Sequence, residues 1–398
     1  MPGKNIVLLD IFFDNIIISG KMHENHSLNP TRAEINLSAF DHNIRQIRKL
    51  TGNKVKILVP VKADAYGHGS IEISRRCEKL GVEMLGVANV DEAQQLINQN
   101  ISLPILILGL LEPSAFQEAI NLNLRITLCD KYQINIINQM AESCKKIISV
   151  HLKVDTGMRR IGCQPSEAIT LAKLIKNKKN LILEGFWTHF PVSDSQDKTF
   201  TQNQMKIFKG LINELKENNI TIPIIHTANS GGIINYPESH FDMVRPGIMS
   251  YGYFPCPGMD VSLSLQPLMS FKTRIIFLKL LDKGVPISYG LKYTTRNKTW
   301  IATLPVGYAD GYNRQLTNKG KVLIKNNLYP VKGVITMDQT LVELGKKHNL
   351  DLYDDVHLFG PKKYGCWDAN EMAGILNTIS YEILCSVGKR VPRVYIEE

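Results

Sequence analysis

A lysine that directly follows an apolar run is the first residue of this chain that could do covalent chemistry. Lys62 lies in VPVKADAYGHG, between an apolar segment and a turn rich in small residues. A lysine partly removed from water loses its charge more readily, and its amine can then form a Schiff base with an aldehyde. A lysine beside a turn is also a common surface feature, so the motif alone does not separate the two interpretations.

Other reactive side chains also stand where apolar runs end. His189 closes the aromatic-rich segment LEGFWTH, Arg245 follows DMV, and Tyr289 lies in PISYG. On the residues alone, His189 fits a satisfied core histidine and Arg245 fits an ion pair at the rim of a barrel. The segments ANSGG and RPGI place small residues beside backbone N–H groups, which favours binding of a phosphate dianion. A Walker-type GxxxxGK[ST] loop is absent from the sequence, so nothing supports a nucleotide-binding site.

The elements that must position these residues alternate in type along most of the chain. From residue 32 to about residue 250, short apolar runs that predict strands are separated by amphipathic stretches that predict helices. This alternation predicts parallel βαβ units that close into a (β/α)8 barrel, with chemistry at the carboxyl ends of the strands. About nine strands can be counted, whereas a (β/α)8 barrel has eight. We therefore place the first strand, AEINL, outside the barrel.

The pattern changes after about residue 265. Apolar runs such as TWIATLPV and KVLIKNNLYPVKGVIT are separated by Gly, Asn and Asp turns with little helix between them, which predicts a mostly antiparallel β domain. The predicted fold is therefore α/β plus β, an N-terminal TIM-like (β/α)8 barrel followed by a β domain. The predicted divisions are an extension over 1–28, the barrel over 29–265 and the β domain over 266–398.

Composition narrows the partners and the compartment. The net charge is +10, but the Lys and Arg residues are dispersed, without zinc-finger spacing or an RNA-binding aromatic signature, so we expect no nucleic-acid partner. The seven cysteines are an odd number without CxxC pairs, which argues against a disulfide framework and against a metal site. A reducing compartment fits this usage, and we expect a cytoplasmic protein.

The first residues resemble an export signal only in part. Residues 6–19 are largely apolar, but Asp10 and Asp14 interrupt them and no good cleavage site follows. The run is too short and too charged to span a bilayer. We interpret residues 1–28 as a poorly ordered extension, or as the result of a start placed ahead of a true start at Met22, and expect no membrane partner. A weak role at a membrane surface is the less favoured alternative.

The segment VKADAYGHG resembles the cofactor-lysine motif of the alanine racemases, which are barrel-type pyridoxal-phosphate enzymes. The likeness continues in family order from about residue 30 to the end of the chain, through HLKVDTGMRRIG, THF, HTANSGGI, VRPGIMSYG, PISYG, TLPVGYADGYNR, GVITMDQT and ISYEILCSVGKRVPRVY. The resemblance implies an isomerase that interconverts L- and D-alanine with pyridoxal 5'-phosphate as cofactor. It also implies a supply of D-alanine for bacterial peptidoglycan.

The resemblance implies two catalytic groups on opposite faces of the substrate. Lys62 would hold the cofactor and act as acid and base on one face of Cα, while Tyr289 of a second subunit would serve the other face, so the enzyme would be a homodimer with shared sites. Two-base racemisation needs a proton removed on one side and delivered on the other. His189 and then Arg245 resemble the residues hydrogen-bonded in turn behind the tyrosine. Arg245 also resembles the arginine that faces the pyridine nitrogen, where a guanidinium weakens the electron sink and favours proton return over transamination.

The remaining site residues follow from the same resemblance. Cofactor binding is implied for Tyr66, Asn229, Ser230, Tyr381 and the backbone amides of Gly247 and Ile248, as well as for Lys62, Arg160, His189 and Arg245. Arg160 and the backbone at Met337 resemble the anchors of the substrate carboxylate, although the preceding Arg159 leaves a second register open. Tyr308 resembles an entrance tyrosine, and a passage narrowed by phenols favours alanine or another small amino acid.

Lys153 has two interpretations. It resembles a lysine that some family members carry in carbamylated form, where the added negative charge can hold Arg160 in position. The simpler interpretation of a buried lysine in this position is an ion pair, with Asp155 as the nearest candidate.

Three alternative functions stay open at this stage. A non-catalytic pyridoxal-phosphate-binding protein shares the barrel but lacks the β domain. A barrel-type amino-acid decarboxylase uses a cysteine of the second domain, and neither Cys366 nor Cys385 has a convincing motif around it. A racemase of broader specificity, acting for example on serine, is the closest rival, because small apolar differences between substrates discriminate weakly.

Overall fold

A ring of eight parallel strands forms the first part of the computed structural model, which describes residues 29–256, 259 and 263–398. The first strand of the chain, β1 (Arg32–Asn36), precedes them, and the ring consists of β2 (Lys56–Pro60), β3 (Met84–Val87), β4 (Ile105–Ile107), β5 (Arg125–Leu128), β6 (Ile148–Lys153), β7 (Leu181–Trp187), β8 (Ile224–His226) and β9 (Met243–Val244). They pair in the order β8-β7-β6-β5-β4-β3-β2-β9. Backbone hydrogen bonds from Asp242 to Ile225 and from Arg245 to Ala228 bridge β9 to β8. The predicted barrel is confirmed.

Helices follow the strands of the ring, and the longer ones cover its outside because each presents one apolar face to it. They are α1 (Leu37–Thr51), α2 (Lys62–Gly67), α3 (Ser70–Lys79), α4 (Val90–Asn98), α5 (Pro113–Asn121), α6 (Lys131–Ser143), α7 (Ala168–Lys176), α8 (Thr199–Glu217) and α9 (Ser230–Asn235). In α1, for example, Phe40, Ile44 and Ile47 are buried at spacings of three and four residues. Asn36 starts this helix by accepting a hydrogen bond from the Ala39 amide. None of the helices within the described ranges is long and apolar enough to cross a membrane.

The interior of the barrel is divided between apolar and polar side chains. Strands β2, β3, β4, β8 and β9 contribute a buried apolar layer of Leu58, Met84, Leu106, Ile224 and Met243. Strand β6 instead carries the buried polar residues His151 and Lys153. Alternate residues of a strand face the same side, so these two point together into the interior.

The second part of the chain consists of small, mostly antiparallel sheets. Its elements are β10 (Met269–Arg274), β11 (Phe277–Leu281), β12 (Pro286–Ile287), β13 (Tyr293–Thr294), β14 (Thr299–Leu304), β15 (Lys321–Ile324), β16 (Asn327–Pro330), β17 (Thr340–Gly345), β18 (Asp355–Phe359), α10 (Ala369–Leu376), α11 (Ser380–Ser386) and β19 (Arg393–Ile396). The largest sheet has the order β16-β15-β18-β10-β1-β19, and only β1 and β19 pair in parallel. The predicted β domain is confirmed.

The first strand joins the second domain. β1 pairs with β10 and β19, which confirms that this strand lies outside the barrel. The extension predicted over residues 1–28 lies outside the described residues. The boundary at residue 265 stays a prediction.

Candidate active site

Lys62 stands at the carboxyl end of β2 and begins an unusual turn. The four residues after it, 63–66, have φ of 51–54° and ψ of 38–51°, which is a left-handed helical turn built from non-glycine residues. This conformation costs about 1–2 kcal/mol per residue because Cβ approaches the following carbonyl oxygen. Contacts from outside the turn must therefore hold it in place.

Those contacts come from the barrel and from the second domain. The Ala63 amide donates to Glu92 Oε1 at 2.8 Å. Gly67, with φ of 83°, lies so close to α11 that a Cβ there would be 2.3 Å from the Leu384 carbonyl oxygen. Arg393 on β19 donates from Nε to the Gly67 carbonyl at 3.0 Å. The second domain thus fixes the turn that follows the reactive lysine.

The Lys62 amine is free and electrostatically destabilised as a cation. Within the described residues its Nζ has no hydrogen-bond or ion-pair partner. Burial lowers the pKa of Lys62, and the positive charge of Arg160 lowers it further. This electrostatic interaction favours Arg160 over Arg159 as the anchor of the substrate carboxylate. The backbone amide of Arg159 donates to Asp155 Oδ1. Both effects favour the neutral form of the amine, which is the form that can act as a nucleophile or a base.

A cradle for an anion lies beside the left-handed turn. A Cβ on Gly247 would lie 3.0 Å from Tyr66 Oη and 3.8 Å from Ser230 Oγ, so both hydroxyls converge on this backbone. The rings of Tyr66 and Tyr381 lie 5.9 Å apart. The backbone N–H groups of Gly247 and Ile248 have no partner among the described residues. The structure therefore gathers these five predicted cofactor-binding residues around one small space.

Asn229 sits behind the cradle. Its Oδ1 accepts hydrogen bonds from the Gly232 amide and Ser193 Oγ, and its Nδ2 donates to the Phe190 carbonyl. These bonds cap α9 and fix where Ser230 begins it. Asn229 is thus placed to orient the cradle.

Arg245 is buried and held by four acceptors. Nη1 donates to His226 Nδ1 at 2.8 Å. Nη2 donates to the carbonyls of Thr188 and Thr227 and contacts His189 Nδ1 at 3.2 Å. The predicted contact between His189 and Arg245 is therefore present. Burial lowers the pKa of Arg245 to about 9, so the guanidinium keeps its charge at neutral pH.

An aromatic ring that the sequence analysis did not single out contacts both Lys153 and Arg245. The Trp187 ring has Lys153 Nζ at 4.0 Å from its centroid and Arg245 Cζ at 4.8 Å, and His226 stacks on it at 5.2 Å. Burial, then Arg245 and Arg160, lower the pKa of Lys153 to about 7. Cation–π contacts offset part of the cost of burying these charges.

The ion pair suggested between Lys153 and Asp155 is wrong. Among the described residues no carboxylate lies within 4 Å of Lys153 Nζ. Asp155 instead uses Oδ1 to accept hydrogen bonds from the amides of Gly157 and Arg159. A carboxylate two residues along the chain is drawn into the turn that carries Arg160, so it is not free to pair with the lysine.

Three of the four predicted site residues from the second domain differ from those of the barrel, whereas the ring of the fourth, Tyr381, lies 5.9 Å from that of Tyr66. The residues Tyr289, Met337 and Tyr308 are 71%, 52% and 43% exposed. Among the described residues, no hydrogen bond or ring contact joins any of them to the barrel side chains above. Within one chain the structure does not bring them to Lys62.

Their loops are nevertheless well held. The Tyr308 amide donates to the Thr336 carbonyl at 3.0 Å, which ties its turn to the Met337 loop. Arg390, which the sequence analysis did not assign, donates to Asp310 Oδ1 and Asp338 Oδ1, both at 2.7 Å, and so joins the same two segments. The Met337 N–H donates to no group in the described part of the chain and is free for a ligand.

Comparison with known proteins identifies the family. A model of the alanine racemase N-terminal domain matches residues 35–255, and a model of the C-terminal domain matches residues 268–395. The alanine racemase of Treponema denticola is 41% identical over 374 residues, covering 92% of this chain and 98% of that protein. This chain belongs to the alanine racemase family.

Solved structures of the alanine racemase family agree with this assignment. A structure of alanine racemase from Clostridium difficile 630 has a TM-score of 0.88 at 40% identity, covering 93% of this chain and 96% of that one. A complex of that enzyme with cycloserine has a TM-score of 0.87 at 38% identity, with the same coverage. The resemblance inferred from sequence is confirmed, as is assignment to a pyridoxal-phosphate-dependent isomerase family.

Proposed function

We propose that this chain interconverts L- and D-alanine with pyridoxal 5'-phosphate as its cofactor. The observation that carries the proposal is the unpaired amine of Lys62, whose pKa is lowered, at the same barrel mouth as an anion cradle and the charged Arg245. A lysine, a site for the phosphate and a charged partner for the ring nitrogen are the groups with which proteins hold this cofactor.

The residues present fit the cofactor. Tyr66 Oη, Ser230 Oγ and the free N–H groups of Gly247 and Ile248 would hold the phosphate, since Gly247 leaves no side chain in the cradle they surround. When bound, the cofactor supplies an electron-withdrawing ring that stabilises negative charge at the substrate Cα. The guanidinium of Arg245 would face the ring nitrogen and disfavour its protonation.

Proton transfer is then assigned to two side chains. Lys62, with burial and Arg160 both favouring its neutral form, would accept or return the Cα proton on one face. Tyr289 of the partner subunit would act on the other face, and its exposure in a single chain supports a role completed by dimerisation. His189, which contacts Arg245, would lie behind that tyrosine and hydrogen bond to it.

Substrate binding is assigned to groups that can hold a small carboxylate. Arg160 and the free N–H of Met337 would bind the α-carboxylate, and Tyr308 would narrow the entrance against larger side chains. Lys153 is a candidate for carbamylation, because a pKa of about 7 leaves much of its amine uncharged and able to react with carbon dioxide. The carbamate would place a negative charge within reach of Arg160.

The physiological setting follows from the chemistry. We assign the chain to the cytoplasm, where it would supply D-alanine for cell-wall peptidoglycan as a homodimer. All seven cysteines are free, which suits a reducing compartment.

The test is borohydride reduction of the holoenzyme, followed by peptide mapping and racemisation assays on alanine, serine and larger amino acids. We expect the cofactor to be fixed to Lys62 and alanine to react fastest. Lys56→Arg, at the exposed start of the same strand, is the control and should label normally. A label on a different lysine, or racemisation that favours larger amino acids over alanine, would refute the proposal.

A further inference from the structure

A chain of buried polar groups leads from Arg245 away from the candidate active site. Arg245 Nη1 contacts His226 Nδ1 at 2.8 Å, and His226 Nε2 contacts His151 Nδ1 at 3.0 Å. His151 Nε2 then contacts Glu184 Oε2 at 3.1 Å, and the same oxygen lies 3.4 Å from Arg125 Nε. Three neighbouring barrel strands, β6, β7 and β8, contribute His151, Glu184 and His226.

The chemistry of the groups assigns every proton in this chain. A guanidinium only donates, so His226 Nδ1 must accept and the proton of this imidazole sits on Nε2. That N–H donates to His151 Nδ1, which places the proton of His151 on Nε2 as well. His151 then donates to a carboxylate. Burial lowers the pKa of both histidines, in agreement with two neutral rings.

These hydrogen bonds connect the buried cation of Arg245 to the negative charge of Glu184. Arg245 is 4% exposed, and in the described part of the chain no carboxylate lies within 4 Å of its guanidinium. An unpaired buried cation is costly. Glu184 is reached only through two imidazoles whose dipoles all point the same way, so the carboxylate polarises His226 into a stronger acceptor for Arg245.

Two local features of β7 serve this arrangement. Val150 pairs with Leu183 and His151 pairs with Gly185, so Glu184 is the extra residue of a β-bulge. A bulge redirects a side chain, here towards His151. At Gly185 a Cβ would lie 2.1 Å from His151 Nδ1, although the φ of this glycine is outside the left-handed region. Glycine is therefore required for space and not for backbone conformation.

We propose that Glu184, His151 and His226 are positioning residues that keep Arg245 charged and fixed in orientation through a one-way hydrogen-bonded chain. The inference deepens the proposed function and rests on Arg245 facing the cofactor ring. Neither imidazole takes up a proton during turnover, because each already donates at one nitrogen and accepts at the other. The groups that face them are Arg245, Lys153, Arg125 and Glu184.

The direct test reads the imidazole nitrogens. In the full-length holoenzyme labelled with 15N-histidine, two-bond proton–nitrogen correlations should show both His226 and His151 as neutral Nε2–H tautomers from about pH 5.5 to about pH 8.5, a range that spans the ordinary pKa of histidine. Glu184→Gln should shift the His226 Nδ1 resonance, although two hydrogen bonds separate the residues. An Nδ1–H tautomer, a protonated ring or an unshifted His226 resonance would overturn the proposal.

Kinetics of variants complete the test. We expect Glu184→Gln to lower kcat for alanine in both directions on the order of tenfold, the size of effect that an outer hydrogen-bonded partner exerts, with little change in KM. Gly185→Ala should do the same by displacing His151, without removing a polar group. Glu83→Gln, which alters a carboxylate paired with Arg48 elsewhere on the barrel, is the matched control and should leave kcat unchanged.

The two failures can be told apart. Loss of the borohydride label at Lys62 would refute the proposed function whatever the histidines do. A normal label combined with unchanged kcat in both Glu184→Gln and Gly185→Ala would refute the positioning chain alone. Melting temperatures of each variant show whether a lower kcat reflects unfolding.

Discussion

The two halves of the candidate active site are built in opposite ways. In the barrel, Arg245 and Lys153 are buried, and Arg245 is held by hydrogen bonds on both terminal nitrogens. In the second domain, Tyr289 and Met337 are more than half exposed and contact none of the barrel site residues within the described chain. The barrel half is organised within a single chain, whereas Tyr289 and Met337 of the second-domain half are exposed to solvent.

The difference shows how each half of the site is organised. The barrel half is organised during folding, because its charges are removed from water and surrounded by fixed donors and acceptors. In the second-domain half, ion pairs from Arg390 to Asp310 and Asp338 hold two loops together. The side chains of Tyr289 and Met337 nevertheless have no protein surface packed against them within the described chain. Association of two chains would supply that surface to each site.

The largest expected effect comes from variants that test whether the two halves of the site belong to different chains. Lys62→Ala and Tyr289→Ala should each be inactive, and a mixture of the two that exchanges subunits should recover about a quarter of the native activity, because half of the dimers are mixed and each has one intact site. The measurement is alanine racemisation after verified heterodimer formation. Mixing Lys62→Ala with the double variant should recover nothing, and absent recovery in proven heterodimers of the single variants would rule out shared sites.

A smaller effect tests the exposed half alone. Tyr289→Phe should lower racemisation by about 10²–10⁴-fold, the usual contribution of one acid or base, while exchange of the Cα hydrogen with solvent is lost selectively for one enantiomer. Lys62 still serves the other face, which is why the loss is one-sided. Deuterium incorporation from each enantiomer measures it, and equal losses in both directions would contradict the division between two bases.

The smallest effect tests the cost of the buried half. The pKa of Lys153 is lowered from 10.5 to about 7, so between these values the unfolded chain binds one more proton than the folded chain. Stability should therefore rise with pH across this window, by up to about 1.4 kcal/mol per unit, whereas the penalty is complete below about pH 7. In bicarbonate-free buffer, the unfolding free energy of the native chain should increase relative to that of Lys153→Met as the pH rises from about 7 to about 10. A difference independent of pH would show that Lys153 is not destabilised by burial.

The fold followed from the sequence because its signals are local and repeated. Alternating apolar runs and amphipathic stretches predicted the barrel, and the surplus first strand was placed outside it correctly. The resemblance supplied the residues of the site, and the structure gathers the barrel set around Lys62, Gly247 and Arg245. The exposure of Tyr289 could not be predicted from the sequence, because it depends on the tertiary packing of the second domain.

The polar interior of the barrel could be predicted only in part. His151 and Lys153 are two residues apart on a strand, and this spacing could have placed both in the interior. Glu184 could not be placed in this way, because its direction depends on a bulge that shifts the register of β7. The ion pair of Lys153 with Asp155 was wrong because the turn that carries Arg160 uses that carboxylate.

The turn after Lys62 has a consequence for the chirality of the site. Residues 63–66 follow the helical hand that D-amino acids adopt without strain, although the residues themselves are L. A right-handed turn of the same length would coil the other way from the end of β2 and carry Tyr66 to another side. The left-handed sense of these four residues therefore places the Tyr66 hydroxyl beside Gly247. The close approach of the Leu384 carbonyl to Gly67 and the hydrogen bond from Arg393 to the Gly67 carbonyl stabilise this conformation.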